Sequence, residues 1–145
     1  LQGKWTIMYF GFSSCPTECP VTMSELRKLI NTLREKEFEL DDKQWILVTI
    51  DPERDTAKDI NFYASRFDSE FIGLRAERPI LLSLTTQLNV AKVKPMKHEM
   101  LSIEELSNHI NNVVLINKDA EYFGFFRPPY DISKLSLTYQ SIVTQ

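Results

Sequence analysis

The two cysteines of this 145-residue chain stand four positions apart, in Gly11-Phe12-Ser13-Ser14-Cys15-Pro16-Thr17-Glu18-Cys19-Pro20. A β-prone apolar run, Trp5 to Phe10, precedes them, and an amphipathic helical pattern, Val21 to Lys36, follows. A thiol at a helix N-terminus meets the positive end of the helix dipole, which favours thiolate and lowers the thiol pKa. Thiolate is both the nucleophile of disulfide exchange and a metal ligand. With Cys-x3-Cys spacing and a proline in the gap, both sulfurs can face one ion or close on each other as a disulfide. Soft sulfur donors favour Cu(I) or Zn(II). Two thiolates alone can hold Cu(I) linearly, whereas Cu(II) or Zn(II) needs nitrogen or oxygen ligands as well. The alternative is a pair of inert buried cysteines, which the flanking prolines, Gly11 and the turn position argue against.

Only two histidines are available as a third ligand. His109 lies four residues before an apolar strand pattern at Val113-Val114-Leu115-Ile116. In a thioredoxin-like sheet, the loop entering that strand comes up beside the thiol loop. Spacing alone leaves open whether His109 is a ligand or an ordinary loop histidine. His98 lies in Met96-Lys97-His98-Glu99-Met100, which is rich in soft ligands but reads as a solvated polar loop.

The elements that must position these residues are legible in order. Trp5–Phe10 and Trp45-Ile46-Leu47-Val48-Thr49-Ile50 are nearly continuous apolar runs, as in strands covered on both faces. Between them, Leu26, Leu29, Ile30 and Leu33 recur at helical spacing, which predicts a helix over about 20–36, with Pro20 in its first turn. Strand, helix, strand makes a right-handed βαβ unit. Thr56 and Asp59 have capping-box spacing for a helix running to about Phe67, with Ile60, Tyr63, Ala64 and Phe67 on one face. Phe71–Leu74 reads as a short strand. Pro79 opens a helix with a stripe of Ile80, Leu81, Leu84 and Leu88. Lys92 to Glu105 reads as a polar excursion. Val113–Ile116 and Tyr122–Phe126 form an antiparallel hairpin about the turn Asn117–Ala120. Asp131 caps a last helix carrying Ile132, Leu135, Tyr139 and Ile142. This order predicts an α/β, thioredoxin-like fold, a central mixed sheet flanked by helices.

Composition narrows the class. The length suits one domain with a substantial core. A formal net charge of −3 argues against a nucleic-acid partner. No apolar run reaches the roughly 18 residues of a membrane span, and no signal peptide, repeat, linker or low-complexity tract is visible. Leu1-Gln2-Gly3-Lys4 leads straight into a strand, so the chain reads as trimmed from a longer one.

The motif Tyr9 to Pro20, with Thr49-Ile50-Asp51-Pro52-Glu53-Arg54-Asp55-Thr56, Phe71-Ile72-Gly73-Leu74, His109 and Tyr122-Phe123-Gly124, resembles the SCO/SenC family of copper chaperones. The resemblance covers nearly the whole chain and implies a single domain over residues 1–145, without the family's N-terminal hairpin and membrane anchor. It implies one copper ion, as Cu(I) or Cu(II), on Cys15, Cys19 and His109, with Asp51 as the acidic residue near the copper loop. The family helps assemble the dinuclear copper site of cytochrome c oxidase. The implied partners are that copper-site subunit and a copper-donor protein, with membrane contact only through a tether. The implied setting is the bacterial periplasm, slightly favoured, or the mitochondrial intermembrane space. The same cysteines can reduce the oxidase's copper-site cysteines by thiol–disulfide exchange; the alternative is a metal-free oxidoreductase of thioredoxin type, over which the Cys-x3-Cys spacing and His109 favour the chaperone. A peroxidase lacks its expected Thr-x-x-Cys and arginine. This chain departs from the family in having Asn108-His109-Ile110 where Asp-His-Ser is usual, and Asn117-Lys118 where Asp-Pro is usual.

Overall fold

A computed structural model of the chain describes residues 3–13, 18–87, 113–126 and 130–144. Their elements, in order, are β1 (Trp5–Gly11), α1 (Glu18–Glu35), β2 (Lys43–Thr49), α2 (Ala57–Ser65), β3 (Phe71–Leu74), α3 (Arg78–Gln87), β4 (Val113–Ile116), β5 (Tyr122–Phe126) and α4 (Ile132–Val143). The strands form one mixed sheet in the order β3-β2-β1-β4-β5. β1, β2 and β3 run parallel, β4 is antiparallel to β1, and β5 is antiparallel to β4. The predicted α/β class, mixed sheet and flanking helices are all present.

β1 is central, and its seven residues are all buried, as a strand covered on both faces must be. α1 turns Met23, Leu26, Leu29, Ile30 and Leu33 into the core. It starts at Glu18, two residues earlier than the periodicity predicts. Proline lacks an N–H, and the first-turn amides have no partner within the helix, so Pro20 is tolerated as the third helical residue. This earlier start places Cys19 inside the helix.

α2 is closed by the predicted capping box. Thr56 Oγ1 accepts from the Asp59 amide at 3.1 Å, and Asp59 accepts from the Thr56 amide at 3.2 Å. Ile60 and Ala64 are buried on this helix, with Tyr63 and Phe67 packed partly buried beside them. α2 lies directly on β3. A methyl group added at Gly73 would stand 2.3 Å from the Ile60 carbonyl oxygen, and the Gly73 amide donates to Asn61 Oδ1 at 3.0 Å. Arg34, at the end of α1, pairs bidentately with Asp68, both distances 2.8 Å, and so ties α1 to the α2–β3 connection. On α4, Asp131 caps the helix through the Lys134 amide, and Tyr139 packs on Trp45 of β2 with ring centroids 5.5 Å apart.

One expectation is corrected. Ile80 of the predicted α3 stripe is 62% exposed, while Leu81 is buried and Leu84 partly so. Successive helical residues are about 100° apart, so Ile80 and Leu81 cannot both face the core. Leu88 lies outside the described residues. β5 is an edge strand, and Tyr122, Phe123 and Phe125 are exposed on it, with Phe123 edge-on to Trp5. The β4–β5 turn is built by Asn117, whose side chain accepts from the amides of Asp119 and Glu121, with Ala120 at φ 61°. No described helix is long and apolar enough to cross a membrane.

Candidate metal centre

The site is built where the parallel strands end. Gly11 is in register with Thr49, and the Ile50 amide donates to the Gly11 carbonyl at 2.8 Å, so β1 and β2 stop side by side. The chain leaving β1 passes the fully buried Phe12 and reaches Ser13. The chain leaving β2 enters Asp51-Pro52-Glu53-Arg54-Asp55, which folds back so that the amides of Arg54 and Asp55 donate to the Asp51 carbonyl.

Asp55 joins the two loops. It is 3% exposed, and three donors converge on its carboxylate. The Ser13 amide donates at 3.0 Å, the Ser13 hydroxyl donates to the other oxygen, and the Thr49 hydroxyl donates at 2.8 Å. Thr49 Oγ1 accepts in turn from the Asp51 amide at 3.0 Å. Sequence reasoning did not single out Asp55. The available signal was a second carboxylate immediately before the helix cap Thr56, in a loop that must pack beside the thiol loop.

Asp51 is placed at this same end of the sheet. It is 7% exposed, its Oδ2 accepts no hydrogen bond among the described residues, and its nearest cation is Arg54 Nε at 3.6 Å. Burial pushes its carboxyl above the usual range, Arg54 opposes this, and the neighbouring charges of Asp55 and Glu53 add to it. The Asp51 loop is braced from the β3–α3 side. Arg75 Nε donates to the Pro52 carbonyl at 2.9 Å, and Arg78 forks onto Glu53, with Nε–Oε1 at 2.6 Å.

The raised carboxyl makes a pH prediction. Asp51 holds its proton more tightly folded than unfolded. Its contribution to stability is therefore fully present below the unfolded pKa and is lost as pH rises through the higher folded one. Asp51→Asn should raise the unfolding temperature of the metal-free protein at pH 7. The gain should shrink as pH falls toward the carboxylate range, measured by thermal denaturation at several pH values.

Of the expected ligands, Cys19 lies in the first turn of α1. Cys15 and His109 lie outside the described residues, as do Met96, His98 and Met100. Ser13, two residues before Cys15, is fixed at the sheet end that carries Asp51. Val113, four residues after His109, pairs with Tyr9, near the end of β1 that leads into the cysteine loop. Among the described residues no group of three or more histidine, cysteine or acidic side chains could hold a metal. A two-thiol donor pair with a nitrogen partner suits a soft ion such as copper.

The family profile described as SCO1/SenC matches residues 1–144. The chain belongs to the SCO1/SenC family. A Stutzerimonas stutzeri protein named for copper binding is 33% identical over 135 residues, which cover 93% of this chain and 64% of that protein. The mitochondrial SCO1 homolog 1 of Arabidopsis thaliana is 29% identical over 136 residues, 94% of this chain and 39% of its own length. This SCO1/SenC chain thus spans about two-thirds of one relative and two-fifths of the other. The crystal structure of yeast Sco1 with copper bound superposes with a TM-score of 0.80 at 25% identity, covering 99% of this chain and 78% of the yeast one.

Proposed function

We propose that this SCO1/SenC domain is a copper metallochaperone. Cys15 and Cys19 hold one copper ion as thiolates, and His109 supplies the nitrogen that Cu(II) requires. Asp51 is a buried acid at the end of the sheet from which the cysteine motif departs. The cargo is destined for the dinuclear copper site of cytochrome c oxidase, received from a copper-donor protein and passed to the copper-site subunit. The setting is the bacterial periplasm or the mitochondrial intermembrane space. The reading is carried by one observation. A chain with Cys-x3-Cys at its β1–α1 junction matches the SCO1/SenC family over residues 1–144 and superposes over 99% of its length on a Sco1 solved with copper bound.

A second reading is favoured by the place of Cys19 in the first turn of α1, which suits a reactive thiol. The reduced pair attacks a disulfide of the recipient and passes through a mixed disulfide. It ends as a Cys15–Cys19 disulfide while two electrons and two protons leave the recipient with two thiols. Copper loading separates the two readings. An oxidoreductase without a metal role takes up no stoichiometric copper.

The test is anaerobic loading of the reduced protein with Cu(I), and separately with Cu(II), for wild type and His109→Ala. Cu(I) tolerates two sulfurs, whereas Cu(II) prefers a tetragonal field containing nitrogen. His109→Ala should weaken Cu(II) by about 10- to 100-fold or more, a scale that even indirect losses around metal sites reach. It should shift or erase the sulfur-to-Cu(II) charge-transfer band and leave Cu(I) nearly unchanged. An unchanged Cu(II) spectrum in His109→Ala, together with its loss in His98→Ala, would move the nitrogen ligand to the Met96–Met100 stretch.

A further inference from the structure

We propose that Asp55 is a positioning residue for the thiol pair: its carboxylate fixes Ser13, two residues before Cys15, and the reactivity of Cys15 depends on that anchor. The proposal builds on the copper reading, but half of its test needs no metal.

A carboxylate offers about four lone-pair sites, and three of them on Asp55 are taken by Ser13 N–H, Ser13 Oγ–H and Thr49 Oγ1–H. A carboxylate that served only the β2–α2 connection would need only local donors. Here two of the three donors come from one residue 42 positions earlier, and that residue is two before Cys15. Asp55 is itself held. Its amide donates to the Asp51 carbonyl at 2.9 Å, and it immediately precedes the Thr56 cap of α2. It is 3% exposed, so little water competes for its oxygens. Hydrogen bonds to a charged acceptor are the stronger kind.

The other end of the loop is held differently. α1 begins at Glu18 and carries Cys19. Ser13 is held by Asp55, whereas Cys19 belongs to the helix. The two thiols depend on different anchors. Loss of the Asp55 anchor should disturb Cys15 and spare Cys19, whereas a general loss of stability should not tell them apart.

The variants are Asp55→Asn and Ser13→Ala, with Thr56→Ala as control. Asparagine replaces an acceptor oxygen with an N–H2 group that faces donors. Ser13→Ala removes the hydroxyl donor and keeps the amide. Thr56→Ala removes the α2 cap without touching Ser13. Two measurements are made well below the melting temperature of every variant. The first is the iodoacetamide alkylation rate of each cysteine in reduced, metal-free protein, resolved by peptide mass spectrometry. The second is Cu(I) affinity by competition with a chromophoric chelator.

Asp55→Asn should change the Cys15 rate several-fold, leave the Cys19 rate unaltered, and weaken Cu(I) by about 10- to 100-fold. Ser13→Ala should shift both readouts the same way by less, and it carries the test if Asp55→Asn does not fold. Thr56→Ala should leave both at wild type. The proposal is overturned if Asp55→Asn, or Ser13→Ala in its place, keeps wild-type Cys15 reactivity. It is also overturned if both cysteines shift together in step with stability. A wild-type protein that takes up no Cu(I) would sink the copper reading alone, since the alkylation rates would still decide the role of Asp55.

Discussion

Cys15→Ala and Cys19→Ala should each abolish tight copper binding by the reduced protein, a loss of more than about 100-fold. The scale follows from the ligand count. Altering a group that only orients a metal ligand costs about 10- to 100-fold, and here half of the thiolate pair itself is removed. One thiolate leaves Cu(I) without its second soft donor. The effect should be symmetric in copper affinity, since both sulfurs are needed for one ion, and chelator competition measures it directly. It should be asymmetric in reactivity. The thiol left in Cys15→Ala is Cys19, in the first turn of α1, where the helix dipole favours thiolate. If Cys19→Ala bound Cu(I) at wild-type affinity, the shared site would be wrong.

Gly73→Ala should destabilise the protein by about 3 kcal/mol, the upper part of the usual range for overpacking. This lowers the melting temperature by roughly 6–12 °C in a chain of this size. The new methyl group would lie 2.3 Å from the Ile60 carbonyl oxygen and 2.5 Å from the Asn61 nitrogen. Those are backbone atoms of α2, so no side chain can swing aside, and the helix itself must lift from β3. The same move strains the Gly73 amide bond to Asn61 Oδ1. A melting temperature within 2 °C of wild type, about the shift from half a kilocalorie or so, would show that α2 and β3 are not packed this tightly.

Much of the fold could be read from local chemistry. The apolar runs at Trp5–Phe10 and Trp45–Ile50 could be only buried strands, and they form β1 and the body of β2. Thr56 with Asp59, and Asp131 before Ile132, announce helix starts through side chains that satisfy free amides, and both caps form. The hairpin turn was visible in Asn117 to Ala120 because asparagine substitutes for backbone acceptors there. Misplaced details have physical causes. Pro20 fits several first-turn positions, so it did not locate the start of α1 at Glu18. Helical periodicity cannot tell which of Ile80 and Leu81 faces inward, because that depends on what lies beneath. Local pattern also does not reveal which strand ends the sheet, so the exposure of Tyr122, Phe123 and Phe125 on β5 could not be read from it.

The site divides in the same way. Paired thiols at a strand-to-helix junction advertise themselves, because their spacing is itself the chemistry. Asp51 came through resemblance to the SCO1/SenC family, and the sheet places it at the end of β2, beside the chain leaving β1. Asp55 was not read, because its role is a contact with Ser13 across 42 residues that no local pattern encodes. Only the parallel register of β1 and β2, with Gly11 opposite Thr49, brings the two loops together.

Copper held by the two thiols must respond to their oxidation state. Cu(I) is added anaerobically to fully reduced protein and to protein carrying a Cys15–Cys19 disulfide, and bound copper is counted against free thiol in each. A disulfide has no thiolate to donate, so metal uptake should follow the thiol count. The expected result is one tightly bound copper per reduced chain and none per oxidised chain, with reduction restoring the full capacity. One copper per chain in protein with no titratable thiol would contradict it, and would send the search for ligands to Met96, His98 and Met100.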